Sequence, residues 1–532
     1  MKNGFKRYIS IGLLSIFAAV PSLAEFNLWS PENGVPVRQG RHVTWSGEGI
    51  AGNDAGQRLI AWTDARGGLS HIYAQLYDSD GNALWTEGGV QVSADRRVEA
   101  KPVVLPLENG EWAVGWSTYF CGLGACGVTE LYVQKLADDG TRLWGDAGVN
   151  IVEELAIETD MKLFPNQEGG VIAAWLDGSR LLAQRIDSDG DRSWTTGGVE
   201  IAYDVYGSYD AVQHTDGSIV LGWSAWGQPI QGSLQSLQPD GSLGWDEAVL
   251  AAQDGLHQRS LALATTGDAT HAVWISDQGY TLKAQLFDGD GNYLQNENGV
   301  LIADSEGSQT LYNPSILHED GSTFVGWTGS GANGTEWDLK AQRFTVSEGS
   351  ISLHWDTDGN SLAGQTVLES EQSPSQMQMQ PTGDDGLFLA WSLTGSTGEM
   401  LHQLQRIDSD GVDVWSEAAT ISAEGSPEQT AFSFSPGTQE LWAPYIHRDV
   451  SLGGLYARLV DTESGNLLLP GHGMEISVGL NGNGNEPVVF YEDGHAFVSW
   501  VDNRTTGFSG WPYIQKISGA DGSTAWDEQG VR

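Results

Sequence analysis

An all-β chain of stacked, repeated sheets is what this sequence predicts, and three observations carry the prediction. The first is a phrase that recurs nine times, at a spacing of roughly 50–60 residues, the length of one supersecondary unit. It runs apolar-x-Trp, a variable loop, apolar-x-Gln-x-apolar, Asp-x-Asp-Gly, then Trp and Gly-Val. The second is that its markers keep register independently. Gln75, Gln134, Gln184, Gln235, Gln285, Gln342, Gln405 and Gln515 mark one slot, held by Arg458 in copy eight. Trp62, Trp116, Trp175, Trp223, Trp274, Trp327, Trp391 and Trp500 mark another, where copy eight has Tyr445 or Ile446. A second tryptophan recurs at Trp85, Trp144, Trp194, Trp245, Trp415 and Trp526. The third is that each copy holds four short β-type runs between turn residues, with no long helical period. Four strands per copy, repeated, is the signature of a β-propeller.

Taken in order, the chain opens on a basic, then apolar stretch. Lys2, Lys6 and Arg7 precede the apolar run from Ile11 to Val20, and Ser22-Leu23-Ala24 fits a small-x-small cleavage site. Residues 1–24 therefore read as a signal peptide, too short for a membrane span. Export to the periplasm or the outside of the cell is expected. Residues 25–532 read as a single propeller domain. Trp29 to Val37 is a fourth-strand phrase with no strands before it, and copy nine stops at Arg532 in mid-strand. Residues 25–37 are therefore expected to complete the last blade, covering a sheet edge and closing the propeller.

Within each copy, the first-to-second and third-to-fourth connections are short Asp-Gly and Asn-Gly turns, such as Glu108-Asn109-Gly110 and Thr215-Asp216-Gly217. They suit tight hairpins, which need positive φ. The other connections are long and differ in every copy, and a rigid scaffold with variable loops places function on them. Their aromatics are the ligand-binding candidates: Tyr119, Phe120, Tyr206, Tyr209, Trp226, Tyr280, Tyr312, Trp337, Phe508 and Trp511. Such rings stack on sugars or fill a partner's pockets. Cys121 and Cys126 share one such loop, and in an exported protein they are expected to form a local disulfide.

The repeated Asp-x-Asp-Gly is spaced as a hairpin turn. A calcium loop needs a third ligand before the glycine and a distant Glu. No metal site or cofactor is expected beyond adventitious surface calcium. Trp-x-Asp-x-Arg, at Trp62 to Arg66 and Trp500 to Arg504, reads as loop architecture, as does the repeated Gln. There is no nucleophile elbow, zinc-binding His pair or phosphate loop, and the 11 His residues are scattered.

The chain has 70 acidic and 26 basic residues. Without the signal peptide's three basic residues the charge is 26 − 3 − 70 = −47. That excludes nucleic acid and an anionic membrane surface as natural partners and favours solubility. A monomer is expected, without membrane insertion.

Together, Trp-x-Asp-x-Arg, Ile-Tyr-Ala-Gln and Asp-x-Asp-Gly-Asn-x-Leu-Trp resemble repeats of large secreted bacterial β-propeller-like proteins, most without an assigned activity. The resemblance covers nearly all of residues 25–532 and implies architecture. The sialidase Asp-box, Ser-x-Asp-x-Gly-x-Thr-Trp, is not matched. The function read from these features is a secreted, non-enzymatic propeller that binds a glycan or an extracellular protein through its variable loops. The alternative is a carbohydrate-active hydrolase or lyase on the same scaffold, and a third reading is a structural cell-surface protein.

Overall fold

The computed structural model describes residues 48–518 apart from internal stretches, the longest being 153–160, 356–364, 422–434 and 503–510. The proposed signal peptide, the closing segment 25–37, Phe508 and Trp526 lie outside the described residues. What is described is all-β, with no α-helix and with a 3-10 turn at Glu108–Gly110. Among these residues no helix is long and apolar enough to cross a membrane.

Each copy folds into one antiparallel sheet whose strands follow in chain order, which makes it a β-propeller blade. Blade 4 is representative: Val205–Gln213, Ile219–Ala225, Gln231–Leu237 and Val249–Leu250. Blade 5 comprises Gln258–Thr266, Ala269–Ser276, Thr281–Phe287 and Val300–Asp304. Eight blades have this four-stranded path, and a ninth sheet has three strands, Asn485–Glu492, His495–Asp502 and Trp511–Ser518. Blade 6 adds a fifth strand, Gln365–Ser370, against its third, Trp337–Ser347.

The chain divides into two compact units. One is Met1–Glu200, Thr430–Arg458 and His472–Arg532; the other is Ile201–Gln429 and Leu459–Gly471. Within each unit the core lies between consecutive blades. Leu105, Val133 and Trp144 of blade 2 pack with Leu163, Val171 and Trp175 of blade 3. In the second unit Val220 and Trp245 of blade 4 pack with Leu263 and Trp274 of blade 5. A middle strand is thus covered on both faces, which is why His71–Tyr77 is buried at every position and reads as a run, not an alternation.

The repeated markers are the fastenings of this arrangement. Gln75 donates from Nε2 to the Thr86 carbonyl at 2.9 Å, while its Oε1 accepts the amides of Leu76 and Trp85 at 3.0 and 3.1 Å. Gln134 and Gln184 repeat the clamp on Gly145 and Trp144, and on Thr195 and Trp194. Each clamp satisfies buried backbone groups where the third strand turns toward the fourth. Copy eight exchanges two markers together: Arg458 hydrogen-bonds to the hydroxyl of Tyr445, and both are buried.

The second tryptophan fastens one blade to the next. Trp85 donates its indole N–H to the Asp138 carbonyl at 2.7 Å, and Trp144 to Ser188 at 3.0 Å. In the second unit Trp245 reaches Gly289 at 3.0 Å and Trp415 reaches Thr462 at 3.3 Å. Every acceptor lies in the third-to-fourth turn of the following copy. The glycine of that turn also lies against the indole. At Gly291, φ is +81° and a Cβ would come within 2.7 Å of Trp245, so glycine is required twice over.

Asp187, Asp288 and Asp408 each accept two amides of their own turn on Oδ1 at 2.8 to 3.0 Å. The hairpin reading of Asp-x-Asp-Gly follows from those bonds.

Candidate functional site

The first strand of most blades carries a β-bulge at one fixed position. The register slips between Ala100 and Val103, Val205 and Tyr209, Arg259 and Ala262, Tyr312 and Ser315, Ser375 and Gln378, and Asn485 and Val488. Lys101, Gly207, Ser260 and Asn313 adopt positive φ there. A bulge re-aims the side chain beside it, and bulges recur next to functional sites.

Residue identity at this position breaks the repeat. The residue opposite the one that follows the first tryptophan is Ala100 in blade 2, Ser375 in blade 7 and Asn485 in blade 9. In blades 5 and 6 it is Arg259, opposite Ile275, and Tyr312, opposite Thr328. In blade 4 the ladder pairs Val205 with Ala225, and Tyr206 precedes the positive-φ Gly207 as Arg259 precedes Ser260 and Tyr312 precedes Asn313. These three large side chains sit on consecutive first strands that pack side by side, all within the second unit.

Each tyrosine is paired with a loop tryptophan. Tyr206, 41% exposed, meets Trp226, 62% exposed, edge to face with ring centroids 4.3 Å apart. Trp226 is positioned by its own amide, which donates to the Asp204 carbonyl at 2.8 Å. Tyr312, 40% exposed, lies 5.9 Å from the half-buried Trp337, the first residue of its blade's third strand. Tyr203, three residues before Tyr206 in the chain, is 73% exposed.

Of the ten aromatic candidates, these four are brought together in two pairs. Tyr209 is 4% exposed and packs inside blade 4, so it offers no face to a ligand. Tyr280 is half-buried, and its carbonyl accepts from the Ser305 amide and hydroxyl, both at 3.0 Å. Tyr119, Phe120 and Trp511 lie on strands, but their side chains are outside the description. The same is true of Cys121 and Cys126, whose backbones face one another across the blade 2 hairpin; no disulfide is found among the described residues.

Acid–base pairing at the loops is structural where it is described. Asp177 and Arg180 lie 3.6 Å apart across a hairpin, and Asp254 meets Lys283 at 2.6 Å. Asp210, next to the blade 4 bulge, accepts the Ala211 and Leu263 amides, both at 2.9 Å. Among the described residues no group of three His, Cys, Asp or Glu side chains is arranged to hold a metal ion.

Sequence reading missed Arg259, because a lone arginine on a strand looks like an ordinary solvated residue until the bulges are aligned. It also missed Glu99 and Gln258, fully buried one position earlier. Glu99 accepts the Ile72 amide at 2.8 Å and Gln258 that of Gly232 at 3.1 Å, tying each first strand to the blade before it. Only the shared ladder position reveals the pair.

No protein-family model matches the chain, and no curated protein matches it. Among solved structures it is similar to a candidate 6-phosphogluconolactonase of Bacteroides uniformis, with 15% identity, 68% of this chain and 94% of that one covered, and a TM-score of 0.36. A second candidate 6-phosphogluconolactonase, from Bacteroides fragilis, gives 10% identity, 80% and 98% coverage and a TM-score of 0.36. A Penicillium chrysogenum α-L-arabinanase complexed with arabinobiose gives 10%, 60% and 94%, and 0.30. At these values none of them bears on what this chain binds.

Proposed function

We propose that the chain is an exported β-propeller that binds carbohydrate on the loop end of blades 4 to 6. The observation that supports it is the exposed edge-to-face pair of Tyr206 and Trp226, with Tyr312 and Trp337 two blades away. A contiguous pair of exposed rings marks a binding surface, and aromatic faces with polar rims stack on the C–H faces of sugars. Binding is placed before hydrolysis because Asp210, which flanks the blade 4 bulge on its far side, is engaged by two backbone amides.

The test is affinity electrophoresis and calorimetry against a panel of neutral and acidic polysaccharides. Trp226→Ala and Trp337→Ala are each expected to weaken binding about 10-fold or more, the loss of a central aromatic anchor, with an unchanged far-ultraviolet spectrum. Unaltered binding by both variants would remove the site from these blades. Release of reducing sugar from any polysaccharide would replace the binding reading with the hydrolytic one.

A further inference from the structure

We infer that the sugar bound here carries a carboxylate, and that Arg259 is the residue that selects it. This rests on the carbohydrate reading above and adds the chemical class of the ligand.

The argument starts from what Arg259 lacks. The chain has 70 acidic residues against 26 basic ones, so an arginine has a large excess of potential partners. Other cations of the same unit use theirs: Lys283 meets Asp254 at 2.6 Å and Arg343 meets Asp385 at 2.7 Å. Arg259 is exposed, and no hydrogen bond or ion pair joins its side chain to another described residue. A guanidinium kept unpaired in an acidic chain leaves its fork of donors open to an incoming anion.

Position supplies the second argument. Arg259 occupies the bulge slot of blade 5, between the blades that place Tyr206 and Tyr312 in the same slot. The adjoining residue, Ser260, holds a φ of +57°, an uncommon conformation for a residue with a side chain. Elsewhere the slot carries Ala100, Ser375 or Asn485, so neither tyrosine nor arginine is needed to build a blade. Three departures at one slot in three consecutive blades place a planar cation between two stacking platforms.

Chemistry then narrows the occupant. Aromatic rings on both sides fit pyranose faces, and a guanidinium between them fits a planar carboxylate through two parallel hydrogen bonds. A sugar acid offers both within one residue. The overall negative charge opposes long polyanions, so a short oligouronide is the better probe.

The experiment is calorimetry of the full chain with tetramers of galacturonate, mannuronate and glucuronate, each beside its carboxyl-reduced form. At least one acid tetramer is expected to bind better than its reduced form. Arg259→Gln should weaken that binding about 10- to 100-fold, the loss of a charged hydrogen-bonding pair. The same variant should weaken binding of the reduced form much less than that of the acid, and Arg259→Lys should recover only part of the loss. Equal binding of acid and reduced forms, or an Arg259→Gln variant that binds the acid normally, overturns the inference. If Trp226→Ala still abolishes binding in those cases, the carbohydrate reading stands without it. If no tetramer of either kind binds, and no polysaccharide does, both fall.

Discussion

The buried first tryptophans keep an indole N–H without an acceptor, at Trp116, Trp175, Trp223, Trp274, Trp327 and Trp391. Their worth is therefore packing alone, and a prediction follows for Trp274. Truncation to Ala should cost about 3–5 kcal/mol in urea unfolding. Trp274→Phe should cost well under half of that, since it also removes a buried donor that is unfavourable by about 1–3 kcal/mol. Equal losses would mean that the indole nitrogen has a partner after all. Asp413 makes a second prediction. Burial, and then the charge of Asp408, push its carboxyl up to about 6, and its Oδ1 has no hydrogen-bond partner. The folded state thus holds the proton more tightly than the unfolded chain does. That contribution to stability is complete below the unfolded pKa of about 3.9 and is lost as pH rises through about 6. Asp413→Asn should raise the melting temperature at pH 7 and leave it little changed at pH 4. A gain at pH 4 as large as that at pH 7 would count against the raised carboxyl.

At the scale of the turn, two glycines separate conformation from space. Gly267 and Gly291 both have positive φ, at +60° and +81°, but only Gly291 has Trp245 where a Cβ would go. Gly267→Ala should cost about 1–2 kcal/mol for its backbone alone. Gly291→Ala should cost about 1–3 kcal/mol more through overpacking, read as the difference between two denaturation midpoints. The blade 2 hairpin carries a further test. Residues directly opposite on antiparallel strands have Cα atoms about 4.5–5.5 Å apart, inside the disulfide range. Protein purified without reductant should therefore show no thiol to Ellman's reagent until it is reduced and unfolded, and two free thiols in the native protein would refute the bridge. These elements also show what was legible in the sequence. Sheets, turns and the Gln slot could be read because each depends on local spacing. Trp355 could not, because the longer blade 6 hairpin sets it 13 residues after Gln342, whereas Trp85 follows Gln75 by 10. Tyr209 was misjudged for a related reason: the bulge at Gly207 turns it inward, and a bulge leaves no mark in the alternation of a short strand. The two aromatic pairs were named residue by residue, but their partnership depends on loops whose paths no local pattern encodes.

For the whole molecule the dominant fact is charge. With 70 acidic and 26 basic residues, folding gathers like charges. Raising salt from about 10 to 200 mM shortens the Debye length from about 30 Å to under 10 Å. The melting temperature is expected to rise over that interval and then level off, as self-repulsion is screened. A fall in melting temperature would show that surface ion pairs, such as that of Arg180 and Glu200 at 2.8 Å, outweigh the repulsion. The tryptophan joints bear on something other than stability. In the first unit Trp85 and Trp144 are donors to the copy after them, and in the second unit Trp245, Trp355 and Trp415 are; where blade 5 lacks the tryptophan, Gln295 makes the same reach to Gly349, whereas the indole N–H of Trp194 in copy 3 has no acceptor among the described residues. Inserting or removing one whole copy inside either of these runs leaves its junctions built from the same two halves. Unequal recombination can therefore change the number of blades without any accompanying point mutation, and nine is a length of array that descent can revise one unit at a time.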